Sequence, residues 1–225
     1  MEDMLKKSNF KINKVNLPNV LDKKDFIEQL IYDYSNEEMD IEMIHFDSIN
    51  ISSCDFSRNT FENVLFENCI FNDINFSNCN FNNIMFKHCE IVNCDFTNGW
   101  FNRCEINDSQ FMGSKFNNSS CTDFRIIESN MKYANFTTSK FKKCEIISSD
   151  MSDAFFAECK FKQMNFDESK FIRTEFFRSS LNSIDFTSST LEGIRVSEGA
   201  HELRGAKVNI HQAAELSKLL GLIIE

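Results

Sequence analysis

The feature that most constrains this chain is an apolar residue at every fifth position, as in "FENCIFNDINFSNCNF" (residues 66–81). The spacing runs without a slip from Ile41 to Val196, and only five of the 25 Phe lie outside it. A strand alternates its side chains with a period of about two, and a helix with a period of about 3.6. Neither explains a spacing of five, so the chain must turn continually around an apolar axis, as a narrow solenoid does.

A second inward column lies two residues before each of these central positions, and most of its members are small. At Phe124 the neighbouring centres are Cys121 and Ile126, which are smaller than Phe, as conservation of volume in a packed core requires. The bulkier members of the second column are spaced by multiples of twenty residues: Ile44, Val64, Ile84, Phe124, Met164 and Ile184. Four pentapeptides therefore complete one coil, and each coil has four faces.

The pentapeptides "CDFSR", "CEIND", "ANFTT" and "IDFTS" resemble the repeats of the pentapeptide-repeat family. That family has a small residue, a polar residue, a central Phe or Leu, and then two polar residues. The resemblance implies an all-β fold, a right-handed quadrilateral β-helix. We expect about eight coils over residues 41–198, which at about 4.8 Å per coil make a rod of roughly 38 Å.

Residues 1–40 precede the repeat and are expected to cap its first coil, because solenoids need covered ends. The stretch "DKKDFIEQLIYDY" (residues 22–34) predicts a short helix, with Asp22 as its N-cap and an apolar stripe that begins at Phe26.

Residues 199–225 break the repeat and predict a second helix, capped by Asn209 and stopped by Gly221. This helix could simply cover the last coil. Its apolar residues exceed that need, however, and the tail resembles the C-terminal helix of the quinolone-resistance (Qnr) branch, which pairs two rods end to end. We therefore expect a homodimer with these interface residues: Ile210, Ala213, Leu216, Leu219, Leu220, Leu222, Ile223 and Ile224.

The nine cysteines predict core packing rather than disulfides or a zinc site. Eight occupy the small inward column, no C-x-x-C pair occurs, and a buried thiol packs as a small hydrophobe. Free cysteines are typical of a reducing cytosol. The start "MEDMLKK" is charged and no segment approaches about 20 apolar residues, so we expect a cytoplasmic protein without a membrane partner.

Catalysis is not expected. The four histidines, His45, His88, His201 and His211, are far apart along the chain, and no nucleotide-binding, hydrolase or zinc-protease motif occurs. Paired carboxylates lie on a convex rod without an evident cleft. The sequence therefore predicts a binding protein with no metal and no cofactor.

The charge is polarised between two neighbouring faces. The face centred on Ile41, Phe61 and so on to Leu181, here the lysine face, gathers Lys140, Lys142, Lys143, Lys160 and Lys162. The next face, centred on Phe46, Phe66 and so on to Phe186, here the acidic face, carries mostly acids. We predict an acidic partner-binding surface of Glu105, Asp108, Glu128, Glu145, Asp167, Glu168 and Asp185.

Resemblance to the Qnr branch implies a DNA mimic that binds type II topoisomerases, DNA gyrase and topoisomerase IV, and modulates quinolone sensitivity. The net charge of −10 has the right sign. DNA carries one charge per ~1.7 Å, so ~80 Å of duplex bears nearly fifty charges against about twenty for a dimer of this chain. A dimer would therefore carry much less negative charge than DNA of the same length, and the lysine cluster would be repelled by a basic partner.

A protein-interaction scaffold with another partner is the alternative. Phe155 and Phe177 point outward in neighbouring coils and would form an apolar contact patch. Direct binding of nucleic acid through the lysine cluster is disfavoured, because the cluster has no interleaved aromatic residues and the whole chain repels phosphate.

Overall fold

The computed structural model describes residues 10–24 and 40–224, in which the chain forms a β-helix of about eight coils. Strands β2 to β16 pair in parallel with strands twenty residues away, as when Phe81 of β8 faces Phe101 of β10. The described residues contain these strands: β1 Asp22–Lys24, β2 Asp40–Glu42, β3 Ile44–Asp47, β4 Asn50–Ser52, β5 Thr60–Glu62, β6 Leu65–Glu67, β7 Ile70–Asn72, β8 Asn80–Lys87, β9 Glu90–Val92, β10 Trp100–Asn107, β11 Ser120–Thr122, β12 Arg125–Ile127, β13 Lys140–Ile147, β14 Lys160–Asp167, β15 Lys170–Ile172 and β16 Thr190–Glu192.

The four faces are not equally strand-like. The lysine face and the acidic face share one 11-stranded sheet, because long strands such as β8 turn the corner between them. The third face carries a three-stranded sheet, β4-β7-β9, and a pair, β15-β16. The fourth face, within the described residues, is joined by isolated bridges such as Asp55 to Asn75. The two charged faces are thus the sides of the rod with the most continuous strand pairing.

The axis is a column of stacked Phe rings, as the spacing predicts. Phe116 lies between Phe96, at 4.9 Å and 6° between ring planes, and Phe136, at 4.8 Å and 16°. Phe124 also points inward and is buried beside the small centre Cys121. The rings are close enough to exclude water and to contribute aromatic stacking beyond their buried area.

The nine cysteines are free, and all but the half-buried Cys54 are buried. Their thiols donate weak hydrogen bonds to backbone carbonyls, as from Cys104 Sγ to Phe81 O at 3.3 Å. Burial raises the pKa of Cys104 and of Cys144 to about 12. Because the thiolate is the reactive form, these residues pack the core and offer no reactive sulfur.

Every corner of the rod places one residue in left-handed backbone, two positions after each centre, from Met43 to Ser183. The N–H of that residue donates to a carbonyl of the next coil, as from Asn63 to Asn82 O at 3.0 Å. Asn and Gly tolerate this conformation best, yet Tyr133 adopts it with a φ of 61°. The ladder between coils therefore enforces the turn even where the residue opposes it.

Residues 10–21, here the N-terminal strap, lie along the corner between the lysine face and the acidic face. The backbone N–H and the side-chain amide of Asn13 donate to the two carboxylate oxygens of Asp123, at 3.1 and 2.9 Å. Asn16 and Asn83 bond reciprocally, at 2.9 and 2.8 Å. The strap joins positions more than sixty residues apart in sequence, which no repeat pattern indicates.

Strand β1 follows the strap and pairs in parallel with β3 on the first coil. Asp22 therefore lies in a strand that covers the edge of the sheet, and the expectation that it caps a helix is wrong. A strand forms here because its backbone satisfies the edge groups of β3, as the Asp22 N–H does at Met43 O, 2.8 Å away. The rest of the predicted helix lies outside the described residues.

The repeat register changes at the C-terminal end. Leu181 N–H donates to Glu202 O, two residues later along the chain than the pairing of Phe176 N–H with Arg195 O. The extra residues fall near Gly199 and Ala200, which are both in left-handed backbone. The chain still completes part of a coil, with a 3-10 turn at His201–Leu203 and a bridge between Asp185 and Lys207.

Helix α1, Ile210–Ser217, then closes the rod and continues into a 3-10 turn at Lys218–Leu220. It begins at the predicted cap, Asn209, which forms a capping box with Gln212, and Gly221 ends the second turn in left-handed backbone. The buried residue of α1 is Gln212, which the apolar pattern overlooks. Its side-chain amide donates to Phe186 O at 2.8 Å and to Ser189 O at 2.6 Å, so it satisfies the last carbonyls of the coil.

Candidate binding surfaces

Several acids of the acidic face are buried rather than exposed to solvent. Arg125 Nη1 lies 2.6 Å from Glu105 and its Nε lies 3.3 Å from Glu145, the equivalent residues one coil away on either side. All three side chains are at most 11% exposed. Asp167 is also buried and accepts a hydrogen bond from Ser188 Oγ. The expectation that Glu105, Glu145 and Asp167 are exposed to a partner is wrong. Their side chains are buried because they bind residues of neighbouring coils.

Three of the four remaining predicted acids lie beyond the centre of this face, and Asp185 lies just before its central residue Phe186. Asp108, Glu128 and Glu168 are exposed at the next corner, and Asp185 is half-buried and accepts the Thr187 N–H at 2.9 Å. His88 Nδ1 lies 3.0 Å from Asp108 Oδ2 in the same column. An open groove of about 650 Å³ runs beside this column. The acidic surface that a partner can reach is thus this corner.

A second charged cluster lies on the first coils. The ligand atoms of His45, Asp47 and Glu67 lie within 4.8 Å of one another, which is a possible geometry for a metal ion. Lys23 is 2.7 Å from Asp47, and Lys87 is 2.7 Å from Glu67. The hydrogen bond from Lys87 lowers the pKa of Glu67, and that from Lys23 holds the pKa of Asp47 well below its usual range. A metal would have to displace both ammonium groups, so the cluster is best described as an ion-pair network.

The lysine cluster is where the sequence places it. Lys140 faces Lys160 and Lys142 faces Lys162 on the neighbouring strands β13 and β14. These four side chains are exposed, and Lys143 at the adjoining corner is half-buried. The described carboxylates form ion pairs elsewhere and reach none of the five.

The predicted apolar patch is shielded by cations. Phe177 is 37% exposed and Phe155 is half-buried. The guanidinium of Arg178 lies over the Phe177 ring at 4.9 Å, and that of Arg195 lies 5.7 Å from the Phe155 ring. The rings stack on arginines rather than on each other. Both guanidinium groups also form ion pairs, Arg178 with Glu158 and Arg195 with Glu175, so the surface here is aromatic and of mixed charge.

The C-terminal end exposes a large apolar surface. Ile210, Leu220 and Ile223 are 81%, 62% and 90% exposed, and Leu219, Leu222 and Ile224 are exposed as well. Leu216 is the predicted interface residue that packs partly against the core, and Ala213 and Leu216 line a groove of about 400 Å³ with Leu203. Soluble monomers rarely leave so many large apolar side chains together in water.

The repeat and the coil define the class: this is a pentapeptide-repeat protein. Residues 54–98 match the sequence model of the family of pentapeptide repeats, in eight copies, and the same coil continues through the rest of the rod. No curated protein sequence matches the chain. Within the described residues, every helix is too short or too polar to cross a bilayer.

Solved structures of similar shape belong to the same class. A trypsin-treated variant of QnrB1, described as a plasmid-mediated fluoroquinolone resistance protein, is 22% identical with a TM-score of 0.53. The likeness covers 83% of this chain and 97% of that one. HetL of the cyanobacterium Nostoc sp. strain PCC 7120, involved in heterocyst differentiation, is 10% identical over 82% of this chain and 92% of that chain, with a TM-score of 0.42. The likeness to QnrB1 is one of fold.

Proposed function

We propose that this protein is a non-catalytic binding protein whose partner contacts the side of the rod, and that a type II topoisomerase such as DNA gyrase is that partner. The observation that carries the proposal is the exposed corner column of Asp108, Glu128 and Glu168. It offers carboxylates at the coil spacing of about 4.8 Å, or twice that, along a rigid edge. A DNA-binding enzyme presents basic surface that such an edge complements. The fold shared with QnrB1 supports the choice of enzyme.

The rod imitates DNA less in charge than in shape. Three of the seven acids predicted for the interface are buried, and Arg125 neutralises part of their charge inside the wall. A contact with a topoisomerase would therefore depend on a few exposed carboxylates and on the straight edge that carries them. Binding of this kind weakens as salt rises, because exposed charges are screened within a Debye length of about 8 Å at physiological ionic strength.

We further propose that two copies pair through α1 and the tail. The exposed apolar residues Leu220, Leu222 and Ile223 support this, since covering them removes large side chains from water. A second copy joined end to end would double the length of the acidic edge.

A gyrase supercoiling assay, with and without a fluoroquinolone, tests the proposal. Purified protein is titrated against a variant with Asp108→Lys, Glu128→Lys and Glu168→Lys. A control variant carries the same charge change on exposed acids elsewhere: Glu42→Lys, Glu192→Lys and Glu198→Lys. We expect the native protein and the control to inhibit supercoiling or to relieve the drug, and the corner variant to do neither.

A scaffold for another protein partner is the second candidate, and burial of Glu105, Glu145 and Asp167 favours it because it removes charge that DNA mimicry needs. No effect of the native protein on gyrase or on topoisomerase IV would reject the topoisomerase proposal in favour of this one. Affinity capture with the corner variant as the matched control would then identify proteins that bind the corner.

A further inference from the structure

We infer that the lysine face is a docking surface for an extended acidic segment of a partner protein. The surface consists of the exposed Trp100 and of the lysine patch, defined as Lys140, Lys142, Lys143, Lys160 and Lys162. This inference goes beyond the proposed function, because the surface lies on another face from the exposed acids and has the opposite charge.

The arrangement of the lysine patch opposes stability. Lys140 is directly opposite Lys160, and Lys142 is directly opposite Lys162, on neighbouring parallel strands. Like charges placed opposite each other destabilise a sheet. In the middle coils the same columns hold neutral residues, such as Asn80 and Asn102. In the first coils they hold acids, with Glu42 opposite Glu62, so positive charge gathers only at the lysine patch. The described carboxylates neutralise none of these lysines, although the chain carries a net charge of −10. An external anion is the partner that would relieve the repulsion.

Trp100 adds an apolar anchor to the same column. It faces Ser120, which faces Lys140, which faces Lys160, so the four residues follow one another along the rod. Its side chain is 48% exposed, and Ser120 between it and the lysines is small enough to leave the path open. Tryptophan is enriched among the residues that dominate protein–protein binding energy, in part because one side chain buries so much area.

The dimensions fit a short extended peptide. Three coil steps separate Trp100 from Lys160, which is about 14 Å, or four to five residues of extended chain at about 3.3 Å each. Lys140 and Lys160 are one coil apart along that direction, about 4.8 Å, and Lys142 and Lys162 form a second row about 6.6 Å to the side. An acidic segment with an apolar residue at one end would therefore satisfy the lysines and cover Trp100 together.

Charge favours a short acidic peptide over nucleic acid. Within a Debye length of about 8 Å, a short segment interacts mainly with the lysines beneath it. A duplex extends beyond the patch and meets the field of a chain with a net charge of −10. Trp100 is the only tryptophan of the chain, and a single ring is not the stacking platform that single-stranded nucleic acid needs.

The test uses the full chain and a fluorescein-labelled probe peptide of alternating Glu and Ser that ends in Leu. Anisotropy at low salt gives the affinity, and the emission of Trp100 reports contact at the anchor, since no other tryptophan contributes. We expect the probe to bind, to shift the Trp100 emission to shorter wavelength, and to bind at least about tenfold more weakly to a Lys142→Glu, Lys160→Glu variant.

The matched control is a Lys115→Glu, Lys170→Glu variant, which makes the same charge change at exposed lysines of the fourth and third faces. It should bind the probe as the native protein does. The Lys142→Glu, Lys160→Glu variant should also melt at a higher temperature than the native protein, because the opposed like charges are gone. Loss of binding together with a gain in stability would not arise from misfolding.

Four results would overturn the inference. The first is no binding of the probe, and the second is equal loss of affinity in both variants. The third is tighter binding of a DNA duplex of matched charge, which would assign the patch to nucleic acid. The fourth is a lower sedimentation coefficient for the Lys142→Glu, Lys160→Glu variant alone, which would assign the patch to a second copy of this chain.

Discussion

The guanidinium of Arg125 lies 2.6 Å from the carboxylate of Glu105, and both side chains are about one-tenth exposed. This pair lies where the sequence alone places an acidic binding surface. With Glu145 bound to the same arginine, a column of the acidic face becomes an internal ion network. Glu105, Arg125 and Glu145 together carry one net negative charge, and both carboxylates are bound to the arginine.

Removing Arg125 is expected to destabilise the rod. Arg125→Met would leave the carboxylates of Glu105 and Glu145, one coil away on either side, buried without a cation, at a cost of about 3–5 kcal/mol in the free energy of unfolding. Urea denaturation measures the loss. Arg178→Met is the control, because its pair with Glu158 is exposed and should contribute less than about 1 kcal/mol. Equal losses in the two variants would mean that the Arg125 network is not buried in solution.

The axial stack makes a comparable prediction for the core. Phe116→Ala removes a fully buried ring from between Phe96 and Phe136, and should cost roughly 3–5 kcal/mol. Phe177→Ala removes a ring of the same size from the surface and should cost much less. Denaturant melts of both variants compare them directly. A loss below about 1 kcal/mol for Phe116→Ala would argue against a packed Phe axis.

Left-handed corners predict that some substitutions stabilise the protein. Tyr133→Asn places a residue that tolerates positive φ where an exposed Tyr is strained, and should raise stability by about 0.5–1 kcal/mol. Gly113→Ala should have the opposite effect, because its φ is +67° and a Cβ would lie 2.6 Å from Asn93 Oδ1. Thermal melts test both. A destabilised Tyr133→Asn variant would show that the tyrosine side chain contributes more than its backbone costs.

The exposed C-terminal surface predicts self-association. Leu220→Asp with Ile223→Asp should convert a dimer into a monomer without unfolding the coils, because both side chains point into solvent. Sedimentation velocity measures the change across a concentration series. Val20→Asp, at a residue that is 78% exposed on the strap, is the control and should leave the association unchanged. A native protein that sediments as a monomer at every concentration would rule out the pairing.

Acid should weaken the first coils through Glu67. Its pKa is lowered from the ordinary value of 4.5 by the hydrogen bond from Lys87, so the ionised form is favoured in the folded state. The stabilisation is present above pH 4.5 and is lost as the pH falls below it. Because Lys87 is 41% exposed, we expect the loss to be under about 1 kcal/mol. Lys87→Ala should flatten the pH dependence of urea stability between pH 5 and 3, and an unchanged slope would contradict the assignment.

The coil could be predicted from sequence because its cause is periodic. Any residue five positions from Phe116 must meet the same axis, so the side of each residue follows from counting. The Glu105–Arg125–Glu145 column was also accessible in principle, since its members are twenty residues apart and of alternating charge. Their burial does not follow from the repeat, because an outward position is exposed or buried according to the side chains beside it in the neighbouring coils.

Contacts outside the repeat leave no such pattern. Asn13 bonds to Asp123 across 110 residues of chain, and nothing near Asn13 repeats. Gln212 is different, because the spacing Asn-x-x-Gln of a capping box stands in the sequence. Its second role, satisfying the carbonyls of Phe186 and Ser189, depends on how α1 is seated on the last coil, which local sequence does not encode.

Because one coil contains twenty residues, the number of residues in the chain also sets the direction in which all later side chains point around the rod. Inserting one pentapeptide before the lysine patch would turn Lys140 and all later residues by a quarter turn relative to Trp100, and inserting a whole coil would restore their bearing one step further away. An insertion or deletion that is not a whole coil therefore rotates all later residues about the axis of the rod. Duplication of complete coils lengthens the molecule and keeps its surfaces aligned, whereas any other insertion points them in a new direction.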